Sequence, residues 1–396
     1  MANVSSSNGL EKRPKLRFPG FDEPWSIYKA EELFKNVADK NHPMETVLTI
    51  IQGKGTLPRE QAGRNIHYDD ASLANYKKVE QGDFIIHLRS FEGGLEMANE
   101  DGIVSPAYTI LRCKKPHSSL FYEAYFHTDE FINHILSKSV EGIRDGRQIS
   151  YEAFKWLGLP YCDVSEQERI AQLFCTLSHR IEKQQQMVDA LKKYKRGLFN
   201  QIFSAISKSS QCRKLRELVC VSGGKTPSMS NSLYWNGDIV WISSKDMKSS
   251  RIFGSELKIT NLALNEMTLY HPGTLLLVAR SGILKHSLPL AILEVDATIN
   301  QDIKALQVHG CNAFYLYYAI LSQEDTIIRT LVKTGTTVQS LMMDSFLNIE
   351  IPTPDIDQQQ RIIDKLAKLE KYVEVQEKEL SLLSQMRNGL LQQLFI

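Results

Sequence analysis

A long helix with an apolar seam is written twice in this chain, once near the middle and once at the end. One offset, Arg361 minus Arg169 (361 − 169 = 192), brings identical residues into register. The residues of the first copy are Pro160, Asp163, Gln167, Arg169, Ile170, Leu177, Glu182, Gln184, Leu191, Gly197, Leu198, Gln201 and Phe203, and each recurs 192 positions later. Self-similarity of this length indicates a duplicated unit.

The apolar positions of both copies follow the alternating spacing of four and three residues that is typical of helices packed along a seam. The seam residues are Ile170, Phe174, Leu177, Ile181, Val188 and Leu191 in the first copy, and Ile362, Leu366, Leu369, Val373, Leu380 and Leu383 in the second. A glutamine (Gln184, Gln376) and a cation (Lys195, Arg387) interrupt each seam at matching places. We therefore predict that the two helices pack on each other. The alternative is an ordinary amphipathic helix buried on a domain.

The ends of the helices are predicted from capping signals. Ser165 with Glu168, and Asp357 with Gln360, fit the capping box, which predicts helices over residues 165–203 and 357–396. At about 1.5 Å per residue each helix would be roughly 55 to 60 Å long, which suits a rod or spacer. The Ser/Lys-rich stretch 204–212 is predicted to be a hinge.

The repeat also sets the predicted domain organisation. We expect an N-terminal arm (1–20), a first globular domain (21–160), a central helix (161–205), a second globular domain (206–354) and a C-terminal helix (355–396). Strand-like runs lie at 82–88, 107–112, 237–243 and 274–279. Arg89-Ser90 and Arg280-Ser281 each follow one of these runs, so the two globular domains also resemble each other.

Composition excludes several classes of protein. The 42% hydrophobic and 23% charged content is that of a soluble globular protein, and no apolar stretch approaches the roughly 18 residues of a membrane span. The first residues lack the apolar core of a secretory signal, so we expect a cytoplasmic protein without membrane contact. The six cysteines form no CxxC pair and have no histidine at metal spacing, which predicts reduced, structural thiols and no metal site. The net charge of +1 argues neither for nor against nucleic acid.

A search for catalytic motifs finds none. Gly224-Lys225-Thr226 resembles part of a phosphate-binding loop, but Val219 stands where the loop needs its first glycine, and Pro227 follows. No GxGxxG, HExxH or GxSxG pattern occurs in its required setting, and the Asn/Asp-Pro-Pro-aromatic motif of amino-methyltransferases is absent. The sequence therefore predicts a protein that is not an enzyme.

Two similar non-catalytic domains joined by paired helices suit the reading of two sites along duplex DNA. The chain contains PKLRFPGF before Trp25, SGGKTPS, Tyr234-Trp235-Asn236-Gly237-Asp238 and Thr298-Ile-Asn300-Gln301. In these segments it resembles the specificity subunits of type I restriction-modification systems. The resemblance continues through Gly335-Thr-Thr-Val-Gln-Ser340 and Ile351-Pro-Thr-Pro354, and it is weaker in the first domain, at 105–108 and 142–150.

The resemblance implies a fold, a function and partners. The fold would be α+β, with two similar mixed α/β target-recognition domains, each followed by a long helix, and with the helices packed as an antiparallel coiled coil. Each domain would read one half of a bipartite, asymmetric target in double-stranded DNA. Two methyltransferase subunits would complete a modification enzyme, and restriction/translocase subunits would join to form the endonuclease complex of this bacterial defence. S-adenosylmethionine and ATP with Mg²⁺ would belong to those partners, and this chain would bind no cofactor.

Candidate DNA contacts follow from side-chain chemistry, because arginine and lysine bond guanine edges or phosphates and glutamine bonds adenine. In the first domain the candidates are Arg64, Arg89, Arg144 and Arg147, and in the second they are Lys225, Lys245, Arg280, Lys285, Gln301 and Thr336. For each, an ordinary surface role is the competing interpretation. Gly142 and Gly335 are predicted to serve turns.

Two other classes of function stay open at the level of sequence. An enzyme with an unrecognised site would show turnover without DNA. A coiled-coil scaffold that joins proteins without reading DNA would keep both seams, but it would show no sequence-dependent binding to duplex DNA.

Overall fold

The computed structural model describes residues 11–62, 70–142, 147–333 and 338–395. These residues form two compact units. Unit 1 contains the described residues up to Gln185 and those from Lys378 onward, and unit 2 is Gln186–Glu377. The two long helices, α5 (Val164–Ser209) and α10 (Ile356–Phe395), each contribute residues to both units. Among the described residues, no helix has the length and apolar character needed to cross a membrane.

Unit 1 is built around a four-stranded antiparallel sheet with the order β3-β10-β7-β8. Its strands are β1 (Glu11–Lys12), β2 (Trp25–Lys29), β3 (Phe34–Val37), β4 (Leu48–Ile51), β5 (Gly55–Pro58), β6 (Lys77–Val79), β7 (Phe84–Ile86), β8 (Glu96–Met97), β9 (Gly102–Val104), β10 (Thr109–Cys113), β11 (Val140–Glu141), β12 (Gln148–Ile149) and β13 (Gly158–Tyr161). Its short helices are α1 (Ala30–Leu33), α2 (Ser90–Gly93), α3 (Ser119–Phe126) and α4 (Tyr151–Phe154). The aromatic face of α3 packs on Phe34 and Phe84 of the sheet and forms the centre of the core.

Unit 2 repeats this arrangement around a five-stranded sheet with the order β15-β22-β19-β20-β17. Its strands are β14 (Cys212–Lys214), β15 (Val219–Gly223), β16 (Trp235–Ile242), β17 (Arg251–Ile252), β18 (Lys258–Ile259), β19 (Leu275–Val278), β20 (Leu290–Leu293), β21 (Ala297–Ile299), β22 (Ile303–Val308), β23 (Val332–Lys333), β24 (Ser340–Leu341) and β25 (Glu350–Pro352). The helices are α6 (Asn261–Leu264), α7 (Ala313–Leu321), α8 (Glu324–Leu331) and α9 (Met343–Phe346). The strand-like runs predicted from sequence correspond to β7, β10, β16 and β19.

The same hydrogen bonds at the base of each long helix confirm the duplication. Gln167 donates to the Cys162 carbonyl at 2.8 Å and accepts the backbone N–H of Ser118, which precedes α3, at 3.0 Å. Its counterpart Gln359 donates to the Pro354 carbonyl at 2.9 Å and accepts the N–H of Asn312, which precedes α7, at 2.9 Å. The hydroxyls of Tyr122 and Tyr315 likewise donate to the carbonyls of Pro160 and Pro352. In each unit the long helix is thus fixed to the globular domain in the same way.

The halves of α5 and α10 pack antiparallel in each unit, as the fold prediction states. In unit 1 the ring of Phe174 stacks on Phe395, with ring centroids 6.0 Å apart, and Arg180 pairs with Glu379 at 3.2 Å. In unit 2, Lys192 pairs with Glu377 and Lys195 pairs with Glu370, both at 2.6 Å. In both units the residue number rises along one helix as it falls along the other, so the helices run in opposite directions.

The burial of the seam agrees with its apolar spacing over most of its length. The buried seam residues are Ile170, Phe174, Leu177, Val188, Ile362, Leu366, Val373 and Leu383, and the half-buried ones are Ile181, Leu191, Leu369 and Leu380. Near the end of α5 the buried positions are Phe199, Phe203 and Ile206. These three side chains join the core of unit 2.

The predicted hinge at 204–212 is wrong. Helix α5 continues to Ser209, and Cys212 already begins β14. The physical reason is Ile206, which lies one helical turn beyond Phe203 and is buried in the same core, so that its burial favours continued helix over a flexible linker.

The predicted caps are also wrong, by two residues in each helix. Asp163 caps α5, since its carboxylate accepts the backbone N–H of Ser165 at 2.8 Å, and Asp355 caps α10 by accepting the N–H of Gln358 at 2.8 Å. The hydrogen bonds with Ser165 hold the pKa of the Asp163 carboxyl below its usual range. Aspartate is as strong a cap as serine, and both aspartates belong to the repeat.

The two units differ in the segment between β3 and β7 in unit 1 and between β15 and β19 in unit 2. In unit 1 this segment carries the β4–β5 hairpin and strand β6, which pairs with β9. In unit 2 it carries the long strand β16, which pairs antiparallel with β18 and parallel with β21. The structural difference between the two units therefore lies in these segments, whereas the hydrogen bonds between each domain and its long helix are shared.

Candidate nucleic-acid interface

Three loops of unit 2 meet where β15, β16 and β21 end. Strands β16 and β21 are parallel, so their carboxyl ends lie at the same edge, and the Asn300 N–H donates to the Ile242 carbonyl at 2.9 Å. The loop after β15 crosses this edge, because the Lys225 N–H donates to the Ile299 carbonyl at 3.0 Å. Gly224 is required there: a Cβ would lie 2.1 Å from the Ile299 carbonyl oxygen. The candidates Lys225, Lys245 and Gln301 all lie on these loops.

A fourth loop, which follows β19, brings Arg280 and Lys285 to the same edge. The Ala279 N–H donates to the Asp302 carbonyl at 2.8 Å, one residue beyond Gln301. The Ser281 N–H donates to the Gln339 carbonyl at 3.1 Å, and Arg280 forms a β-bridge with Ser340. The five described candidates of this unit thus lie on loops that are joined to one another by backbone hydrogen bonds.

The side chains at this edge are suited to an anionic ligand. Lys225, Lys245, Arg280 and Lys285 are exposed, and within the described ranges none of them pairs with a carboxylate. The nearby Asp246 carboxylate is occupied by the Ser243 N–H and hydroxyl, at 2.8 and 2.7 Å. Gln301 is exposed beside the hydroxyl of Thr226, which donates to its amide oxygen. Unpaired cations on several adjoining loops provide contacts for a phosphate backbone.

In unit 1 the described candidates are Arg89 and Arg147, and short helix α2 connects them. Arg89 is exposed and immediately precedes α2, and the Ser90 hydroxyl at the start of α2 accepts the His87 N–H at 2.8 Å. The guanidinium of Arg147 lies over the ring of Phe91 in α2, 4.3 Å from its centroid. This arrangement places both arginines on one loop cluster.

Arg89 and Arg280 occupy equivalent topological positions, because each follows a main-sheet strand with matching neighbours: β7 lies between β10 and β8, and β19 lies between β22 and β20. Gly142 adopts a φ of 85°, which agrees with its predicted turn. The candidates Arg64, Arg144 and Thr336, together with Gly335, lie outside the described residues. Sequence reasoning missed Gln339, which is half-buried beside the Arg280 loop, although the stretch that carries the resemblance contains it.

Within unit 1 a buried ion pair supports the inserted hairpin. The fully buried Glu96 carboxylate accepts the N–H groups of Gly53 and Gly55 at 2.7 and 2.9 Å and bonds His127 Nε2 at 3.2 Å. Burial alone would raise the pKa of Glu96 and lower that of His127, but their mutual bond and the backbone donors reverse both shifts. The pKa of Glu96 is therefore lowered and that of His127 raised. The pair fixes the β4–β5 hairpin to the end of α3.

Exposed apolar side chains on the long helices provide candidate docking positions for a partner protein. Tyr194 on the unit 2 part of α5 and Met386 on the unit 1 part of α10 are counterparts under the offset of 192, and both are exposed. Contiguous apolar patches exposed to water mark interaction surfaces, so Tyr194 and Met386 are positions at which docking can be tested. In the part of the chain that the structure describes, no group of histidine, cysteine, aspartate and glutamate side chains is placed to hold a metal ion.

Comparison with known proteins agrees with the geometry. Residues 207–385 match the family described as the type I restriction modification DNA specificity domain. The chain is 32% identical over 252 residues to the type I restriction enzyme EcoR124I/EcoR124II specificity subunit of Escherichia coli, an alignment that covers 61% of this chain and 62% of that protein. It is 29% identical over 197 residues to the type I restriction enzyme MjaIX specificity subunit of Methanocaldococcus jannaschii, which covers 48% of this chain and 45% of the relative. Each alignment therefore spans less than two thirds of the curated relative.

Two solved structures share the fold along nearly the whole chain. The type I restriction-modification system S subunit from M. genitalium superposes with a TM-score of 0.58 at 15% identity, covering 97% of this chain and 99% of that one. A chain from a structure of the complex assembly and conformational transition of the type I R-M system gives 0.55 at 15% identity, covering 95% and 98%. The resemblance to specificity subunits and the predicted fold class are thereby confirmed.

Proposed function

We propose that this chain is the DNA sequence-specificity subunit of a type I restriction-modification complex. Each globular domain reads one half of a bipartite, asymmetric target in double-stranded DNA, and the chain itself performs no catalysis. The observation that carries this proposal is the cluster of unpaired cations on adjoining loops of unit 2, within the region that matches the specificity-domain family. The equivalent position of Arg89 in unit 1 extends the same role to the first domain.

The long helices provide the docking faces for partner proteins in this proposal. Two methyltransferase subunits bind the helix pair, at the faces that carry Tyr194 and Met386. Restriction/translocase subunits join this assembly in the cytoplasm. S-adenosylmethionine and ATP with Mg²⁺ are bound by those partners and not by this chain.

The test is methylome sequencing of a host that carries this gene together with that of its methyltransferase partner. We expect one modified motif with two specific parts separated by unread base pairs. A host in which the chain and partner assemble but no such motif is modified would contradict the proposal and favour the coiled-coil scaffold. Methyl transfer by the isolated chain, without a methyltransferase partner, would instead indicate an enzyme with its own site.

A further inference from the structure

The cation that interrupts each helix seam has a carboxylate partner in unit 2 and none among the described residues of unit 1. In unit 2 the Glu370 carboxylate accepts the Lys195 ammonium at 2.6 Å. It also accepts the hydroxyls of Tyr318 at 3.1 Å and Tyr317 at 3.4 Å. This half-buried carboxylate is therefore bound by three donors from α5 and α7.

The repeat identifies the corresponding residues of unit 1. The offset of 192 relates Lys195 to Arg387 and Glu370 to Ser178. The matched hydrogen bonds of Tyr122 and Tyr315 set an offset of 193 between α3 and α7, which relates Tyr318 to Tyr125 and Tyr317 to Ala124. Unit 1 thus keeps a cation and one tyrosine, but the acceptor that bound both in unit 2 is replaced by a short hydroxyl side chain.

The donors that remain in unit 1 lack partners. The Nε of Arg387 and the hydroxyl of the fully buried Tyr125 are buried polar atoms with no hydrogen-bond partner among the described residues. A buried donor without an acceptor costs about 1 to 3 kcal/mol, so such atoms in a native structure call for a ligand or partner. Both atoms are counterparts of groups that bind Glu370 in unit 2.

A cavity of about 490 Å³ lies open beside Arg387 in unit 1. Ser178 lines it, together with Glu123 of α3, His127 directly after α3, and His179 and Glu182 of α5. Glu123 forms no ion pair with Arg387, and burial outweighs the nearby charge and raises the pKa of Glu123. The cavity therefore offers an unpaired guanidinium, and the space that the Glu370 side chain would need is available.

We propose that this cavity of unit 1 is a carboxylate-binding site that receives an acidic side chain of a docked methyltransferase subunit. The identity of the partner rests on the proposed function, whereas the carboxylate preference rests on the comparison of the two units. The acidic side chain takes the place that Glu370 fills in unit 2, and Arg387 donates to it. The two docking faces of the helix pair are then unequal, because unit 2 supplies its own carboxylate and unit 1 obtains it from the partner.

Ser178→Glu in the full-length chain tests the site without any partner. The new carboxylate should pair with Arg387 and raise the thermal midpoint of the free chain by roughly 2 to 4 °C, the shift expected for a domain of this size when one such interaction is gained. Adding Arg387→Gln should abolish that gain in a double-mutant cycle. Thr176→Glu, an exposed position on the same helix, is the matched control and should not couple to Arg387.

The same variants test the occupant. We expect the wild-type chain to bind two copies of the methyltransferase subunit in native mass spectrometry, and Ser178→Glu and Arg387→Gln each to weaken one copy at least tenfold. If the thermal double-mutant cycle shows no coupling between Ser178→Glu and Arg387→Gln, the carboxylate site is overturned, even if methyltransferase subunits bind. If Ser178→Glu couples to Arg387 but both methyltransferase copies still bind equally tightly, the proposal that an acidic side chain of the partner occupies the cavity is overturned. A wild-type chain that binds no methyltransferase subunit would overturn the assigned occupant together with the proposed function, while the thermal cycle would still report on the site.

Discussion

Units 1 and 2 agree where each globular domain meets the long helices and differ where each domain carries its insertion. The buried glutamines Gln167 and Gln359 make the same pair of hydrogen bonds, and four strands of each main sheet share one order, to which unit 2 adds β17 at the edge. In contrast, a β-hairpin in unit 1 stands where unit 2 has the long strand β16. The comparison indicates that the junction serves a role common to both halves, whereas the insertions serve roles particular to each.

The largest effect should come from the aromatic side chains at the shared junction. Phe395 is fully buried among Trp25, Phe121, Tyr125 and Phe174. Phe395→Ala should lower the free energy of unfolding by about 3 to 5 kcal/mol, because it removes a large side chain and leaves a cavity. Denaturant unfolding measures it. The counterpart Phe203→Ala should lower the free energy of unfolding by a similar amount in unit 2. If only one of the two variants were destabilised, the two junctions would not be equivalent.

A smaller but matched effect is expected for the junction glutamines. Gln359→Leu should destabilise by about 1 to 3 kcal/mol, because the Asn312 N–H and the Pro354 carbonyl would lose their partner while buried. Gln167→Leu should cost the same in unit 1. Hydrogen exchange at Asn312 and Ser118 reports the loss locally. Faster exchange that extends equally through both units would contradict the assignment of one glutamine to each junction.

Arg89 after β7 and Arg280 after β19 test the proposal that each unit reads its own half of the target. Arg280→Gln should relax the modified motif in one half, and Arg89→Gln in the other, each by about 1 to 3 kcal/mol if the guanidinium bonds a guanine edge. Methylome sequencing of each variant gives the result directly. If an arginine contacts only phosphate, binding should weaken uniformly and the salt slope should fall by about 1. Relaxation of the same half by both variants would contradict the assignment of one reader to each unit.

The smallest effect should be a pH dependence found in unit 1 and not in unit 2. The raised pKa of His127 means that its pairing with Glu96 stabilises unit 1 fully below about pH 6.5, the ordinary value for histidine. That stability should be lost as pH rises through the raised pKa. The lowered pKa of Glu96 acts on the acidic side of the pH range. Its contribution to stability is lost as pH falls below the ordinary pKa of a glutamate and through the lowered pKa of Glu96. His127→Gln should flatten unfolding free energies measured from pH 6 to 9, and an unchanged slope would exclude this pair as the cause.

Sequence alone predicted the repeat, the two helices and the four strands β7, β10, β16 and β19, because a constant offset and apolar spacing are properties of the chain itself. It placed the caps at Ser165 and Asp357, since both match the capping-box pattern, although Asp163 and Asp355 two residues earlier match it equally well. The choice depends on tertiary contact: Glu166 is buried by Arg17 and Trp25, which fixes where α5 begins. No rule based on residue spacing could have predicted that contact.

The sequence predicted which types of side chain form the candidate site, but not which residues the fold brings together there. Positive side chains after apolar strands indicated Arg89 and Arg280, but the loops that join Lys225, Arg280 and Gln301 are brought together by backbone hydrogen bonds between distant segments. The difference between the two helix seams could not be predicted from sequence for a related reason. The matched cations Lys195 and Arg387 are visible in the sequence, yet the exchange of Glu370 for Ser178 gains meaning only when the structure shows which donors that carboxylate binds.

The position of the insertions has a consequence for how such a gene can change. The insertion lies between β3 and β7 in unit 1 and between β15 and β19 in unit 2, whereas the hydrogen bonds of Gln167 and Gln359 described above are made to residues outside these segments. Under the proposed function, recombination that exchanges this segment would alter the part of the base preference that the segment contributes, while Arg89, Arg280 and both junctions stay in place. A cell could thereby alter which DNA it marks as its own in a single genetic event, without having to evolve new subunits to match.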